Sequence, residues 1–453
     1  MATQMSTQQS LQAALDAADS PVDMLQEAGG RWVWPREVAR EYTNWMDELR
    51  AVRESCVLAD LSHHQMDQVV EGADALDVLR KLCTNSFDGF DVGKAKQAIM
   101  CNPDGKFIGD AVLQRIGDET FVLSGKDPAA NWLAYHIDRG DYDASETIYP
   151  KSSKNPNDPH FFTYQVQGPN ALDVMEEVTE GPLPDVPFFN FGTVSIAGHE
   201  VRALRHGMAG EVGFELQGPY ECGEEIKEAI LAVGRAYDIR RLGTRAYEPL
   251  SVKLGWVTTH VPAIYTGEGL REYREWLDAD SYEGQYSIAG SFVSDDISDY
   301  YVSPVDIGYS HMISFDHDFV GREALEAEVE EPDRTRVTLV WDDDDVVRLF
   351  ESLLDEEPPR KVFDLPRDRW GGHHDEVLRD GEVVGHSKSF CYSYSDREVI
   401  SICSIDVEHS EPGTDVTLVW GENDESKNPL VEPHRQTEVG ATVAPSPYLD
   451  DSR

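Results

Sequence analysis

The chain has 453 residues, with 39 Lys plus Arg against 85 Asp plus Glu, a formal net charge of −46, and 40% hydrophobic residues. So acidic a surface repels nucleic acid and anionic membrane, no apolar run is long enough for a membrane span, and residues 1–26 lack the basic-then-apolar order of a secretory signal. The six cysteines (Cys56, Cys83, Cys101, Cys222, Cys391, Cys403) form no C-x-x-C pair, which argues against a disulfide framework or a structural zinc and fits a reducing cytoplasm. The acidic coat suits a salt-loaded, halophilic cytoplasm, where screening makes self-repulsion tolerable; the retained aromatics and strand-like runs separate the chain from a disordered acidic protein.

Residues 1–30 read as a polar, loosely attached helical lead-in. Residues 36–54 have helical spacing, with Val38, Tyr42, Trp45 and Leu49 on one stripe. Gln68 to Glu71 runs into Gly72, and Ala73 to Cys83 reads as a helix. Phe107 to Arg115 and Thr120 to Ser124 form a predicted hairpin. Pro128 to Ile137 is helical, with Pro near its start. Phe161 to Gln167 is a strand, and Asn170 caps a helix over Ala171 to Val178. Val194 to Ala197 and Glu200 to Leu204 flank the turn Gly198-His199. Val212 to Leu216 is a strand and Tyr220 to Tyr237 an amphipathic helix. Residues 150–159 and 280–299 read as loops. From about residue 334 the chain turns to short strands (Arg336 to Trp341, Glu376 to Leu378, Glu382 to Gly385, Val399 to Cys403, Asp415 to Trp420), a small barrel or sandwich, interrupted by an acidic insertion over 342–357 with a helical pattern at Val346 to Leu354. Without regular βαβ alternation the class is α+β, with mostly antiparallel sheets.

No Walker loop, G-x-G-x-x-G, H-E-x-x-H or G-x-S-x-G occurs, which leaves nucleotide binding, dinucleotide redox, zincin and serine-hydrolase chemistry without support. The pairs His63-His64 and His373-His374 and the group His311, Asp316, His317, Asp318 are candidate metal ligands, but adjacent strand residues face opposite sides and acidic loops with histidine are common in such a chain. No metal is expected. Four segments carry more: Asp60-Leu61-Ser62-His63-His64; Asn102-Pro103-Asp104-Gly105 running to Asp110; Gly210-Glu211-Val212-Gly213-Phe214-Glu215; and Gly255 to Glu268, which contains Tyr265. Each alone is a turn before a half-buried strand.

In this order the four segments, with Gly168-Pro169-Asn170-Ala171, Val384-Gly385 to Ser389 and Gly413 to Leu418, resemble the glycine-cleavage T-protein (aminomethyltransferase) superfamily over roughly residues 50–425. Val33-Trp34-Pro35-Arg36, Tyr42-Thr43-Asn44-Trp45, Pro262-Ala263-Ile264-Tyr265-Thr266-Gly267-Glu268, Tyr273-Arg274-Glu275-Trp276, Phe363-Asp364-Leu365-Pro366 and Pro433-His434-Arg435-Gln436 are similar to one branch, the tetrahydrofolate-dependent vanillate and 3-O-methylgallate O-demethylases. The resemblance implies a three-domain ring around a folate channel: a lead-in at 1–30, folate-binding-fold regions at 31–165 and 166–333, the second with the substrate loop, and a C-terminal β-barrel domain at 334–453.

It also implies tetrahydrofolate as cofactor and transfer of a methyl group from a small methyl ether, such as a methoxylated aromatic acid, to folate N5. Glu215 would accept paired pterin N–H groups, since a carboxylate can take two parallel donors. Tyr265 would protonate the leaving phenolate, with a pKa near that of the phenol so that transfer is almost balanced. His63 and His64 would line the site, one orienting substrate or relaying a proton. Asp110 would place N5 or stabilise its developing charge. Lys126 stands where the branch has a substrate-gripping arginine, keeping the charge but losing the planar fork, with Asp127 adding a negative charge beside it. Other readings are aminomethyl transfer from a lipoyl carrier protein, sulfonium or amine demethylation, and a non-catalytic folate binder or an assembly helper with a reactive cysteine, for which Cys83 and Cys101 would be candidates.

Overall fold

The computed structural model describes residues 9–28, 36–155, 157–257, 260–367 and 372–448; the resemblance at Val33-Trp34-Pro35 lies outside them. The first half holds two sheets. In chain order their strands are β1 (Cys56–Asp60), β2 (Met66–Glu71), β3 (Ala95–Cys101), β4 (Phe107–Arg115), β5 (Thr120–Gly125), β6 (Ser145–Tyr149), β7 (Phe161–Gln167), β8 (Phe191–Ile196), β9 (His199–Leu204), β10 (Gly213–Pro219) and β11 (Ile239–Leu242). One sheet has the order β3-β4-β5-β2-β6, the other β11-β1-β7-β10-β9-β8, and every pairing but β1 with β11 is antiparallel. The class expected from sequence is therefore the one observed. β1 joins the sheet of β7–β11, and the border expected at 165/166 falls inside β7.

Each sheet packs its apolar face on two helices. Val70, Leu113, Phe121 and Leu123 meet Val78 and Leu79 of the helix Ala75–Leu82 and Trp132 and Leu133 of Asp127–Arg139. Phe162, Tyr164, Val166, Phe214 and Leu216 meet Val174, Met175, Ile226 and Ile230 of Ala171–Val178 and Gly223–Gly234. The period of two then sends the alternate residues to the opposite face. There Thr163, Gln165, Gln167, Glu215 and Gln217 are all buried as well, and Gln114 Nε2 of β4 donates to Gln217 Oε1 of β10 at 3.2 Å. The two sheets thus bring polar faces together.

The C-terminal strands β12 (Arg334–Trp341), β13 (Asp375–Arg379), β14 (Glu382–Ser393), β15 (Glu398–Asp406), β16 (Asp415–Trp420) and β17 (Thr437–Ala444) form a closed barrel, β12-β15-β14-β13-β16-β17. The insertion is a helix, Asp343–Asp355, whose N-cap Asp342 accepts from Asp345 N. β17 was not foreseen; it pairs with both β12 and β16 and closes the barrel.

Three local expectations change. The lead-in is docked, not loose: Leu11 and Leu25 are fully buried, Leu11 N donates to Leu277 O, and Arg274 Nε reaches Gln12 Oε1 at 2.6 Å. The helix expected from residue 36 begins at Trp45, because Asn44 caps it and the buried Glu48 accepts the N–H groups of Tyr42, Thr43 and Gly243, holding the preceding chain in a turn. Asn170 precedes its helix but does not cap it with its side chain, which donates to Tyr237 O. Among the described residues no helix is long and apolar enough to cross a membrane.

Candidate active site

The four motifs are tied in two pairs, the second to the fourth and the first and third to β7. In the turn 102–106, Asn102 Oδ1 accepts from the N–H groups of Asp104 and Lys106, its Nδ2 donates to Ala263 O at 3.0 Å, and Ala263 N returns a bond to Phe107 O at 2.9 Å. The turn that leads to Asp110 is thereby stitched to the segment that carries Tyr265. After β1, Ser62 Oγ donates to Asp60 Oδ1 and accepts from Thr163 N, which fixes the turn holding His63 and His64. Gly213 sits at φ +154°, and a Cβ there would lie 2.1 Å from Val166 O. Only glycine lets β10 close on β7 at this point and set Glu215 opposite Gln165.

Glu215 is 5% exposed. Burial, with Asp67 as a nearby like charge, pushes its carboxyl up to about 7. Burial raises Asp67 to about 6, although Ser124 Oγ donates to it at 2.5 Å. Around this pair the polar inter-sheet faces leave atoms without partners: Gln165 Nε2, Gln114 Oε1 and Arg202 Nε are buried and unbonded. Buried polar atoms are normally satisfied. A set of unpaired donors and acceptors beside two carboxyls fits a flat heterocycle with a mixed donor and acceptor edge, as a pterin has.

Asp110 Oδ2 accepts from Gln97, from Tyr309 Oη at 3.0 Å and from Trp256 Nε1 at 3.3 Å. Burial raises its pKa against those three bonds. His64 packs edge-on to Tyr247 (5.5 Å between centroids), its Nδ1 bonds Leu61 O, and burial followed by Lys126 depresses it to about 3, so it is neutral. His63 bonds Ser152 Oγ through Nδ1 at 2.8 Å and faces Tyr220 through Nε2 at 3.5 Å. The two rings sit on a turn rather than a strand, yet they still take different partners.

Lys126, at the start of the helix Asp127–Arg139, has company that the sequence did not reveal. The loop after β6 returns Lys151, 9% exposed, to within 3.8 Å of Asp127 and 5.6 Å of the Tyr282 ring centroid, while Lys154 lies 3.5 Å from Asp127. The negative charge beside Lys126 is thus answered by two further lysines. Burial first, and then repulsion from Lys151, pushes the Lys126 ammonium well below its usual range. Tyr265 is buried, and its Oη donates to Glu283 O at 2.8 Å. Burial raises its pKa well above 10, so it holds its proton and the balanced transfer inferred from isolated phenols is not the resting state. Ser152, Lys151, Asp67 and Tyr309 escaped the sequence reading; none has a spacing signal, and Lys151 sat in what read as a polar loop, while Trp256 lay in the fourth segment without a role of its own.

Other candidates are occupied elsewhere. His317 spends Nδ1 on Asp316 and Nε2 on Cys83 O, and no group of three or more metal-capable side chains occurs among the described residues. Burial raises the Cys83 thiol to about 12 and Cys101 higher still, the reverse of what a reactive cysteine needs.

Residues 23–260 match the family model described as the GCVT N-terminal domain. The chain is 39% identical over 443 residues to a syringate O-demethylase from a Sphingobium species, covering 97% of this chain and 96% of that one. The chain belongs to the GCVT family. It is also 31% identical to a sesamin methylene transferase from a Sinomonas species, over 91% of this chain and 90% of the relative, and 24% identical to an aminomethyltransferase of Oceanobacillus iheyensis over 83% and 86%. The glycine cleavage aminomethyltransferase T of Bartonella henselae shares the fold, with a TM-score of 0.63, 16% identity, and coverage of 95% of this chain and 98% of that one. The two sheets and the barrel are thus the architecture of GCVT proteins.

Proposed function

We propose that this GCVT protein is a tetrahydrofolate-dependent O-demethylase that takes a methyl group from a methoxylated aromatic acid. The observation that carries this reading is the near full-length relationship to a syringate O-demethylase, joined to the segment Tyr282-Glu283, which bonds the buried Tyr265 through Glu283 O and sets the Tyr282 ring 5.6 Å from Lys151. Bound tetrahydrofolate supplies the N5 amine that accepts the methyl carbon. Glu215 and the unpaired amides of Gln165 and Gln114 hold the pterin edge. Asp110, set by three donors, would stabilise positive charge at that amine. Lys126 and Lys151 hold the aromatic carboxylate. Tyr265 delivers its proton to the aryl oxygen as the carbon–oxygen bond breaks; the leaving phenolate, buried beside it, is raised by the same desolvation, which brings the two pKa values back together. Neutral His64 and the Ser152-tethered His63 shape the wall between them. The protein acts in the cytoplasm and needs no metal.

A single-turnover assay in high salt tests this. The protein is mixed with tetrahydrofolate and, separately, syringate, vanillate, a methylenedioxy lignan, a sulfonium compound, a methylated amine, and glycine with a lipoyl carrier. The expected product is 5-methyl-tetrahydrofolate from an aryl methyl ether. Methylene-tetrahydrofolate from the carrier or from the methylenedioxy compound would replace this reading with the chemistry of the corresponding relative.

A further inference from the structure

Behind Asp110, between the residues that follow the helix Thr244–Lys253 and the outer wall of the barrel, lies a cavity of about 10 Å³. That is about the room one water needs. Its lining includes His260, Asp306, Tyr309, Arg336, Lys388 and Ser404. Three of these carry a buried polar atom with no hydrogen-bond partner: Arg336 Nε, His260 Nδ1 and Ser404 Oγ. Lys388 is 6% exposed, and its Nζ lies 3.5 Å from His374 Nδ1. All four side chains line the same cavity and can donate N–H or O–H.

The charge balance runs the same way. Arg336 and Lys388 are cations, and Asp306 is the carboxylate of the lining, its Oδ2 accepting from Ser303 N. A chain with a net charge of −46 has thus placed a net positive, donor-rich pocket in its interior. Buried charge is costly unless paired and hydrogen-bonded, and burial already depresses the Lys388 ammonium to about 8.

We propose that this cavity is a binding site for a monatomic anion of the halide class, held by Arg336, Lys388, His260 and Ser404. The inference is independent of the methyl donor. The site takes the anion as a lone ion. Its place gives it a consequence: Arg336 Nη1 also donates to Gly255 O at 2.7 Å and its guanidinium lies 6.0 Å from the Tyr309 ring centroid, while Tyr309 Oη donates to Asp110. An ion here fixes the wall that orients Asp110.

The test keeps ionic strength constant by exchanging potassium glutamate for potassium bromide or chloride. Crystals of the full chain grown in bromide are expected to show an anomalous peak in the cavity. In solution, chloride is expected to raise Tm along a saturating curve that glutamate does not reproduce. Lys388→Met removes the saturating part, and Ser404→Ala weakens the apparent affinity about 10-fold or more, the loss of one hydrogen bond to a charged acceptor. Water alone at that position in bromide, or a stabilisation that climbs equally in both salts, overturns the proposal. So does displacement of bromide by saturating tetrahydrofolate, which would assign these cations to the carboxylates of that ligand.

Discussion

Inside the C-terminal barrel, Trp341, Phe363, Phe390 and Trp420 all meet one another, with ring centroids 4.9–6.0 Å apart. Between the two sheets of the first half the buried neighbours are Gln114, Gln165, Gln217, Arg202 and Glu215, several with atoms unpaired. Both interiors exclude water, but only the first gains from it. An aromatic cluster is stabilised by area and by edge-to-face contacts, whereas a half-satisfied polar network costs stability. A fold tolerates such a network where a ligand completes it. The aromatic interior of the barrel is therefore read as scaffold and the inter-sheet space as site.

Removing an aromatic from the barrel should give the largest stability effect. Trp420→Ala deletes a fully buried side chain that also donates to Lys361 O at 2.9 Å; a loss of about 3–5 kcal/mol is expected in urea unfolding. The folded fraction should retain its turnover. A fall in turnover per folded molecule would show that the barrel shapes the site directly and would blur the distinction.

Tyr265→Phe comes next and should behave in the opposite way. Single-turnover demethylation is expected to fall about 100-fold or more, while stability changes by about 1 kcal/mol, the bond to Glu283 O. Equal rates in the two proteins would remove Tyr265 from the chemistry and leave it a packing residue.

Glu215→Gln sharpens the contrast because it should gain stability and lose binding together. The folded carboxyl titrates at about 7, above its ordinary value of 4.5. Between those values the native state binds more protons than the unfolded one, so stability falls as pH rises from about 4.5 to 7 and stays low above. The glutamine variant escapes that loss and should be more stable at pH 8 by up to about 3 kcal/mol, with little difference at pH 4. Its folate affinity should drop about 10-fold or more, the loss of a charge-assisted pair. A variant that is less stable at pH 8 would mean that the carboxylate is already paired inside the protein.

The same contrast explains what the sequence could disclose. In β7 the alternation of Phe162, Tyr164 and Val166 with Thr163, Gln165 and Gln167 identified a strand, yet the alternation is also that of a sheet with one wet face. That the polar face is dry depends on the second sheet, and no local pattern encodes it. β17 was missed because its inward residues, Val439, Ala441 and Val443, are small and broken by Gly440; it becomes a strand only because β12 and β16 leave a gap for it. Glu215 and Asp110 were singled out because glycine turns mark their approach, and Tyr265 because its segment resembles the O-demethylase branch. Lys151 was not, since a lysine beside Ser152 and Ser153 looks like surface until β6 and β7 fold its loop inward.

Lys151 also gives the smallest and most discriminating change. If it is structural, its work is to neutralise Asp127, and Lys154 at 3.5 Å remains to do that after substitution. If it shares the substrate carboxylate with Lys126, then Lys151→Gln should raise KM for an aromatic acid about 10-fold, as expected for one charge-assisted hydrogen bond, and leave kcat within roughly 2-fold, since the contact is alike in ground and transition states. A methoxyphenol without a carboxylate supplies the control: its turnover should be unaffected. Equal losses for the acid and the carboxylate-free ether would assign Lys151 to holding the loop, and the carboxylate would then rest on Lys126 alone, where a restored fork in Lys126→Arg should tighten acid binding several-fold.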